Sequence, residues 1–466
     1  MNLEDLLTLH PTALDAAGAA VAPAPALRVH VAGALPGETV TARLVHLSPH
    51  HQPHGQDAWA DLQQILVASP ERVPPVCPAY GLCGGCVLQH LSRAGQLDYK
   101  RSQVVDALSS LAIALPAIAD CVPSPRGLGY RNQSKYVAGG AAAATPLVLG
   151  AFAPRSHRVV DLAGCRLGES PQDEVAARLR GLLLREGVTA FDETKRTGTL
   201  RYVVVRSNAR GQVLVALVTA RREFPEGAPI AQALAAAIPA VVTVVHNVND
   251  SPGNVIFGAH EQTLLGPGVL VERFGGVDVE IGARAFLQLN RDVAQLAYAA
   301  IAQALTDGPG GTTRLGRVLD LYSGVGAIAF SLAAQAREIV AVEANPAATS
   351  AGERAAARAG LAHVRFITAP AARALADGGG FADVDAVVLN PPRAGADARV
   401  CTAIGHMRPR VVAYLSCNPT TLARDLALLT AACDDLVVES IRPLDMLPHT
   451  THVETLVILR RSLRAP

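Results

Sequence analysis

The chain has 466 residues, half of them hydrophobic, and a formal net charge of +1. This length and composition allow about three domains, each with a hydrophobic core. A net charge near zero does not by itself indicate a nucleic-acid partner, although a local basic patch would be enough to bind one.

The N-terminal 72 residues are predicted to form a small antiparallel β-barrel. The opening MNLEDLLTLHP has no basic stretch, so it does not resemble a signal peptide. The runs LRVHVAG and ETVTARLVHL alternate apolar and polar residues around the turn ALPGE, and DLQQILVAS follows them. A period of two that is broken by turn residues is typical of strands.

Residues 73–282 are predicted to form a central α+β domain that begins with a cysteine cluster. Cys77, Cys83 and Cys86 have the spacing C-x5-C-x2-C, and Cys165 in DLAGCRLG supplies a fourth thiol. Cysteines in a chain without a secretion signal are expected to bind metal or act in catalysis rather than form disulfides. Four thiolates suit either zinc or an iron–sulfur cluster, and the spacing alone does not choose between them.

The central region also bears on where the protein resides. Its most apolar window, 233–245, contains Pro239 and is too short to span a bilayer. We therefore expect a soluble cytoplasmic protein with no membrane partner.

Residues 283–466 are predicted to form a doubly wound, mostly parallel, Rossmann-like sheet. Apolar strands such as GRVLDL, EIVAVE and DAVVLN alternate with helical segments, which is the pattern of an α/β domain. The predicted fold class is therefore α/β, with a small barrel and an α+β region in front of it.

The first two strands of this C-terminal region carry a nucleotide-binding pattern. Asp320 ends one strand, Gly324 and Gly326 follow in a turn, and Glu343 ends the next strand. Such a turn brings the backbone close to a ligand, and an acid at the second strand can accept hydrogen bonds from ribose hydroxyls. A dinucleotide dehydrogenase would share these features, but GVGAIA lacks the third glycine of that fingerprint.

The end of the fourth strand favours a different cofactor. It reads LNPPRAG, and a strand-end Asn-Pro-Pro is typical of S-adenosylmethionine-dependent methyltransferases. Enzymes that methylate amines usually have an aromatic residue next, where this chain has Arg393. We therefore expect methyl transfer to an acceptor other than an amine.

Taken in order, LNPPRAG, LSCNPTTLARDL and DMLPHTTHVETL resemble the RNA uracil-5-methyltransferase family, over essentially the whole chain. The resemblance implies that the barrel is similar to a TRAM domain, an oligonucleotide-binding fold. CGGCVLQH resembles the members that carry a [4Fe–4S] cluster, so the resemblance favours that cluster on the four cysteines over zinc.

The resemblance also implies roles for single residues. Cys417 matches the nucleophile and Glu454 the base, and the positions that match contacts to S-adenosylmethionine are Gln288, Tyr322, Glu343 and Asn390. Three departures stand out: Asn390 replaces an Asp found in many members, Ala327 replaces an Asn, and FITAPAARA lacks the Asn or Asp that often meets the adenine.

The implied reaction needs a thiolate, a base and a methyl donor around one pocket. Addition of a thiolate to carbon 6 of uracil makes carbon 5 nucleophilic, and a base then removes the proton from carbon 5. We expect the surroundings of Cys417 to lower its pKa, because the thiolate is the reactive form. The target base must be single-stranded or flipped out of a helix.

An RNA surface is expected on the barrel and on YRNQSKY, through Tyr130, Arg131, Lys135 and Tyr136.

Several functions fit these expectations. Methylation of 23S ribosomal RNA leads, because iron–sulfur members act mostly there, and the T-loop uridine of tRNA comes next. Formation of 5-methylcytosine is disfavoured, since those enzymes usually have Pro-Cys at the NPPR position or pair two cysteines. A non-catalytic iron–sulfur RNA-binding protein is the remaining alternative. We expect the chain to act as a monomer.

Overall fold

The computed structural model describes residues 3–52, 55–140, 147–253, 255–307, 314–376, 381 and 383–462. Strands in these ranges form an N-terminal sheet, a central sheet, a two-stranded ribbon and a C-terminal sheet. No helix that the model describes has the length and hydropathy needed to cross a membrane. The predicted α/β class is confirmed, with a strand-rich region at the N-terminus.

The N-terminal sheet has the strand order β1-β5-β6-β4-β3-β2. Its strands are β1 (Leu6–Leu9), β2 (Ala13–Leu14), β3 (Ala20–Ala24), β4 (Leu27–Ala32), β5 (Thr39–Gln52) and β6 (Gly55–Val67). Alternate residues such as Val29, Val31 and Val40 are buried in its core, as the period of two predicts. The prediction of a wholly antiparallel arrangement is wrong, because the long β5–β6 hairpin places β6 beside β4 in parallel.

The chain next crosses the C-terminal domain before it enters the central sheet. Helix α1 (Arg93–Leu108) buries Val104 and Leu108 in the core of the C-terminal sheet. A bridge between Val122 and Leu444 continues the contact. This stretch, predicted as part of the central domain, therefore packs on the C-terminal domain.

The central sheet has the order β13-β12-β11-β10-β7-β8-β9. Its strands are β7 (Gln133–Gly139), β8 (Val148–Phe152), β9 (Val159–Asp161), β10 (Leu200–Ser207), β11 (Val213–Thr219), β12 (Val241–Val248) and β13 (His260–Leu265). Helices α2 (Gln172–Arg185) and α3 (Gly227–Ala237) cover one face. Leu270 and Ala283 cover part of the other, which explains why β10 and β11 are buried along their whole length.

A two-stranded ribbon leads into the C-terminal domain. Strands β14 (Leu270–Phe274) and β15 (Val277–Ile281) form it. Val279 of the ribbon is fully buried in the C-terminal core, so the ribbon packs with the sheet that follows it.

The C-terminal sheet has the order β18-β17-β16-β19-β20-β22-β21. Its strands are β16 (Leu315–Leu321), β17 (Ala336–Glu343), β18 (Val364–Thr368), β19 (Val384–Leu389), β20 (Val411–Ser416), β21 (Leu436–Leu444) and β22 (Glu454–Arg461). Its helices are α4 (Arg291–Thr306), α5 (Ala327–Leu332), α6 (Pro346–Arg358), α7 (Ala371–Ala376), α8 (Ala398–Met407) and α9 (Pro419–Ala432).

The order of this sheet locates the expected ligand site. The strands from β18 to β20 are parallel, and β22 and β21 close the edge antiparallel. After β16 the chain adds strands on one side, and from β19 it adds them on the other. Ligands of doubly wound sheets bind beside such a reversal, at the carboxyl ends of the strands.

Candidate active site

A cavity of about 1150 Å³ lies at the carboxyl ends of the parallel strands. Its lining includes every residue predicted to bind the methyl donor or to act in catalysis: Gln288, Tyr322, Glu343, Asn390, Cys417 and Glu454. Pockets of about 300–1,000 Å³ hold a small organic ligand. The cavity therefore has room for a nucleoside cofactor and a second base.

The turn after β16 has an unusual backbone. Tyr322, Gly324 and Gly326 have φ values of +61°, +56° and +88°, a region that an aromatic residue rarely adopts. A Cβ atom on Gly326 would lie 2.6 Å from Cζ of Phe366, so only glycine fits there. Asp320 lies one residue before the strand end, is fully buried, and accepts a hydrogen bond from the Ala329 N–H at 3.0 Å.

Glu343, at the end of β17, is held by the same turn. Its Oε2 accepts a hydrogen bond from the Gly324 N–H at 3.1 Å, and its Oε1 accepts one from the Asn345 N–H at 2.8 Å. Two backbone donors thus fix the carboxylate at the position predicted for ribose recognition.

The wall after β18 is apolar. Pro370, Ala371 and Ala372 line the cavity where FITAPAARA lacks an acidic or amide side chain. Ala327, the second departure, also lines the cavity. A ligand can make polar contacts with these residues only through their backbone.

Gln288 lies in the loop before α4, and YRNQSKY holds that loop. The Asn132 side chain donates to the Gln288 carbonyl at 2.8 Å, and its backbone N–H donates to the Leu289 carbonyl at 2.9 Å. The Asn290 side chain donates to the Met446 carbonyl at 3.1 Å. The loop is therefore fixed from two sides.

The expectation that YRNQSKY forms an RNA surface is wrong for its two tyrosines. Tyr130 is fully buried and donates a hydrogen bond to the Pro448 carbonyl at 3.1 Å, and Tyr136 is buried in the central core. Lys135 is exposed, and Arg131 is half-buried beside the cysteines. The motif mainly joins the central sheet to the loops around the cavity.

Cys417 and Glu454 lie at the same end of two neighbouring strands. Cys417 follows the end of β20, and Glu454 is the first residue of β22. Ser416 pairs with Thr455, so the antiparallel register puts the next residue, Cys417, opposite Glu454. Residues far apart in sequence are brought to one end of the sheet.

Glu454 is almost completely buried. In the part of the chain that the structure describes, its Oε1 has no hydrogen-bond partner. Burial raises the pKa of this carboxyl to about 8. A carboxylate in such a place is a stronger base than an exposed glutamate.

The expectation of a lowered pKa for Cys417 is wrong for the chain without ligands. Burial raises the pKa of this thiol, the nearby Glu454 charge raises it further, and the Arg393 guanidinium opposes both effects. The sequence predicted a carboxyl group on the same pocket, but it could not show that burial and this neighbour together raise the pKa of the thiol.

The Arg393 side chain also meets the loop that precedes Glu454. Its Nη2 lies 3.4 Å from Nε2 of His452, and both residues line the cavity. Tyr298 and Met446 line the cavity as well, and no sequence motif had singled them out. They occupy apolar positions that read as ordinary core.

The four predicted cluster cysteines come from two segments and are all half-buried and free. Burial raises the pKa of the Cys83, Cys86 and Cys165 thiols, and charges on neighbouring cysteines of the set raise each of them further. The folded chain therefore brings Cys165 near the cysteine-rich segment. Within the described residues, no three His, Cys, Asp or Glu side chains are arranged to hold a metal ion, so the cluster stays a prediction.

Comparisons with known proteins agree with these features. The family model for tRNA (uracil-5-)-methyltransferase matches residues 282–462. An uncharacterized RNA methyltransferase of Halalkalibacterium halodurans is 33% identical over 465 residues, which is 98% of each chain. One of Gloeobacter violaceus is 35% identical, over 98% of this chain and 96% of the relative.

A solved structure is similar over nearly the whole fold. It is the tRNA (uracil-54, C5)-methyltransferase of Pyrococcus abyssi in complex with S-adenosyl-L-homocysteine. The TM-score is 0.75 at 25% sequence identity, with 97% of this chain and 100% of that chain covered. The likeness therefore includes the N-terminal and central regions as well as the C-terminal sheet.

Proposed function

Because the chain belongs to the RNA uracil-5-methyltransferase family, we propose that it methylates carbon 5 of a uridine in RNA, with Cys417 as nucleophile and Glu454 as base. The observation that carries this assignment is that both residues lie at the same end of two paired strands and line a single cavity. A thiol and a base on one pocket are what the reaction requires.

The first step belongs to Cys417. Its thiolate adds to carbon 6 of the uracil, and the electron pair of the double bond moves onto carbon 5 and the neighbouring carbonyl. Arg393 favours the thiolate against the effect of burial. S-adenosylmethionine, when bound, supplies the methyl group that this carbon 5 takes.

The second step belongs to Glu454. Its carboxylate removes the proton from carbon 5, the electrons of the C–H bond restore the ring double bond, and the bond to the Cys417 sulfur breaks. Cys417 leaves as a thiolate, and the proton stays on Glu454. The free Oε1 and the raised pKa of Glu454 support this role.

The residues around the glycine turn fit S-adenosylmethionine. Glu343 has its carboxylate fixed by two backbone N–H groups, as a ribose acceptor requires. Pro370 and the alanines after it offer an apolar wall to the adenine. Gln288, Tyr322 and Asn390 complete the set that would hold the donor, with a neutral amide at Asn390 in place of a carboxylate.

The leading substrate is 23S ribosomal RNA, because CGGCVLQH resembles the members that carry a cluster. The T-loop uridine of tRNA is the second candidate, supported by the likeness to a tRNA (uracil-54, C5)-methyltransferase over the whole chain. Phe286 lines the cavity with 74% of its side chain exposed and offers a face on which a base can stack. An RNA substrate places the enzyme in the cytoplasm, where we propose that it acts as a monomer.

We further propose that Cys77, Cys83, Cys86 and Cys165 hold a [4Fe–4S] cluster. Four free thiols from two segments suit it chemically. The cluster would cross-link these segments. Because methyl transfer requires no redox step, we propose a structural role for it.

The proposed division of the chain has three parts. Residues 1–72 form a TRAM-like module that binds RNA, residues 73–282 a central domain with the cluster, and residues 283–466 the methyltransferase domain. The six-stranded order of the N-terminal sheet supports the first part.

A labelling experiment tests the proposal. The anaerobically purified protein is incubated with labelled S-adenosylmethionine and either a 23S transcript or an unmodified tRNA pool. Each RNA is then digested, and the methylated nucleoside is identified by mass spectrometry. Cys417→Ala and Glu454→Gln are run in parallel.

The expected result is labelled 5-methyluridine from the 23S transcript, absent with Cys417→Ala. Label only in tRNA would keep the chemistry and change the substrate. No label in either RNA, with S-adenosylmethionine bound, would favour a non-catalytic RNA-binding protein.

A further inference from the structure

The segment after the nucleophile contains polar residues that the reaction does not use. In CNPTTLARDL, four side chains follow Cys417 along the start of α9: Asn418, Thr421, Arg424 and Asp425. Residues three or four apart lie on one face of a helix. We call these four residues the α9 clamp, because each of them contacts the loop that follows Asn390.

The first turn of α9 holds the carbonyl of Arg393. Asn418 caps the helix by accepting from the Thr420 N–H at 3.1 Å, and its side-chain amide donates to the Arg393 carbonyl at 3.0 Å. The Thr421 hydroxyl donates to the same carbonyl at 3.4 Å. The backbone that carries the Arg393 side chain is therefore tied to the residue next to the nucleophile.

The second turn holds the remainder of the loop. The Arg424 guanidinium donates to the carbonyls of Ala394 and Ala396, each at 3.0 Å. Asp425 is fully buried and accepts from the Ala396 N–H at 2.7 Å. It also accepts from the Tyr414 hydroxyl at 2.5 Å and from Nε of Arg424 at 2.8 Å.

The held loop carries a cation, Arg393, for which the described residues supply no carboxylate partner. Among the described residues lining the cavity, Arg399 pairs with Asp397 and Arg424 pairs with Asp425. Arg393, in contrast, forms no ion pair with a described carboxylate; it lines the same cavity as Cys417, and its guanidinium lies near His452. Its charge is therefore available to a thiolate or to an anionic ligand.

We propose that Arg424 and Asp425 are positioning residues that fix the Ala394–Ala396 backbone on α9 and thereby hold the Arg393 guanidinium beside Cys417. Cys417 is then kept reactive by a cation placed through hydrogen bonds from its own following helix. The inference rests on the proposed function of Cys417, but its test does not require RNA.

The test measures the reactivity of Cys417 directly. The full-length protein is alkylated with iodoacetamide over a range of pH, and the Cys417 peptide is followed by mass spectrometry. The variants are Arg424→Met, Arg424→Lys and Arg393→Met, with the double variant Arg424→Met/Arg393→Met. Arg424 is half exposed but its partner Asp425 is buried, so Arg424→Lys, which keeps a cation beside that carboxylate, separates loss of position from loss of folding. Arg354→Met is the matched control, because Arg354 is a similarly exposed helical arginine beside Glu280.

Arg393→Met is expected to slow alkylation at pH 7 by about tenfold, the effect of raising a thiol pKa by one unit. Arg424→Met should show a large part of that loss, Arg424→Lys should recover some of it, and the double variant should equal Arg393→Met. Arg354→Met should match the wild type. Unchanged alkylation in Arg424→Met, or additive losses in the double variant, would overturn the proposal. If the alkylation rates follow this expected pattern but the protein methylates no RNA, the proposed function would be refuted and the positioning role would stand.

Discussion

At the scale of single residues, two carboxyl groups lie in unfavourable surroundings: Glu454, which lines the cavity, and Asp320, which is buried in the strand before the glycine turn. Burial raises the pKa of Glu454 to about 8 and that of Asp320 to about 7. Each has a buried oxygen without a hydrogen-bond partner among the described residues. Such groups cost stability and are typical of sites selected for function.

Glu454→Gln should stabilise the protein as the pH rises. Below about pH 4.5 the carboxyl is neutral in both the folded and unfolded states, so burial carries no penalty. Between about pH 4.5 and 8 only the unfolded state ionises, so the wild type loses about 1.4 kcal/mol per pH unit through this group. Urea unfolding of both proteins across this range measures the difference.

The variant retains Asp320, so the pH dependence due to that group cancels in the comparison. A stability difference that does not change between pH 5 and pH 8 would show that Glu454 is ionised in the folded protein.

The same groups predict the pH dependence of catalysis. In the proposed mechanism Glu454 acts as a base only when it is ionised. Burial raises its pKa to about 8, so kcat/KM should rise with pH by about tenfold per unit up to that value. The pKa of Cys417 is raised as well, so ionisation of its thiol also contributes to the rise of kcat/KM with pH. A kcat/KM that is flat from pH 6 to pH 8 would contradict the base assignment.

At the scale of elements, α1 fixes the loop that leads to Glu454. Lys100 is fully buried, pairs with Asp445 at 2.5 Å and donates to the Leu447 carbonyl at 2.9 Å. The Gln96 side chain accepts from the His449 N–H at 2.9 Å. A helix that precedes the central sheet in sequence thus positions one wall of the catalytic cavity.

Lys100→Met should destabilise the protein by about 3–5 kcal/mol, because removing one partner leaves a buried charge uncompensated. Denaturant unfolding measures it, and Lys195→Met is the control. Lys195 is 73% exposed, so its substitution should change stability by less than about 0.5 kcal/mol. A loss below 1 kcal/mol in Lys100→Met would mean that Arg93, the other partner of Asp445, compensates.

At the scale of the whole molecule, three regions meet at the loop before Glu454. The Val87 and Leu88 N–H groups of the cysteine-rich segment both donate to the His449 carbonyl at 3.0 Å. From α1, the Tyr99 hydroxyl donates to the Asp15 carbonyl of the N-terminal region at 2.7 Å. The conformation of the cysteine-rich segment is therefore coupled, through these hydrogen bonds, to the loop that leads to Glu454.

Cys86→Ser should lose iron and inorganic sulfide relative to the wild type after anaerobic purification. Cys121→Ser is the matched control and should retain both, because Cys121 is buried and its thiol is affected by Asp445 and Lys100 rather than by the four cysteines. Chemical analysis of iron and sulfide measures the result. Stoichiometric zinc and no iron in the wild type would reject the iron–sulfur assignment.

Local patterns sufficed to predict much of the fold and the candidate site. The C-terminal sheet was predicted from apolar strands that alternate with helical segments. The spacing of apolar residues along a segment indicates whether it is a strand or a helix and which of its faces is buried. Motifs at strand ends pointed to Glu343 and Asn390, and the family resemblance pointed to Cys417. All three lie close together because the carboxyl ends of parallel strands converge at one edge of a sheet. These features depend on neighbours in sequence.

Other features were decided only by the tertiary structure. The packing of α1 on the C-terminal sheet, the burial of Tyr130 and the parallel pairing of β4 with β6 depend on contacts between distant segments. The raised pKa of Cys417 likewise arises from burial and from Glu454 across the sheet. A sequence states which groups are present, but their protonation depends on the water and charges that the folded chain leaves around them.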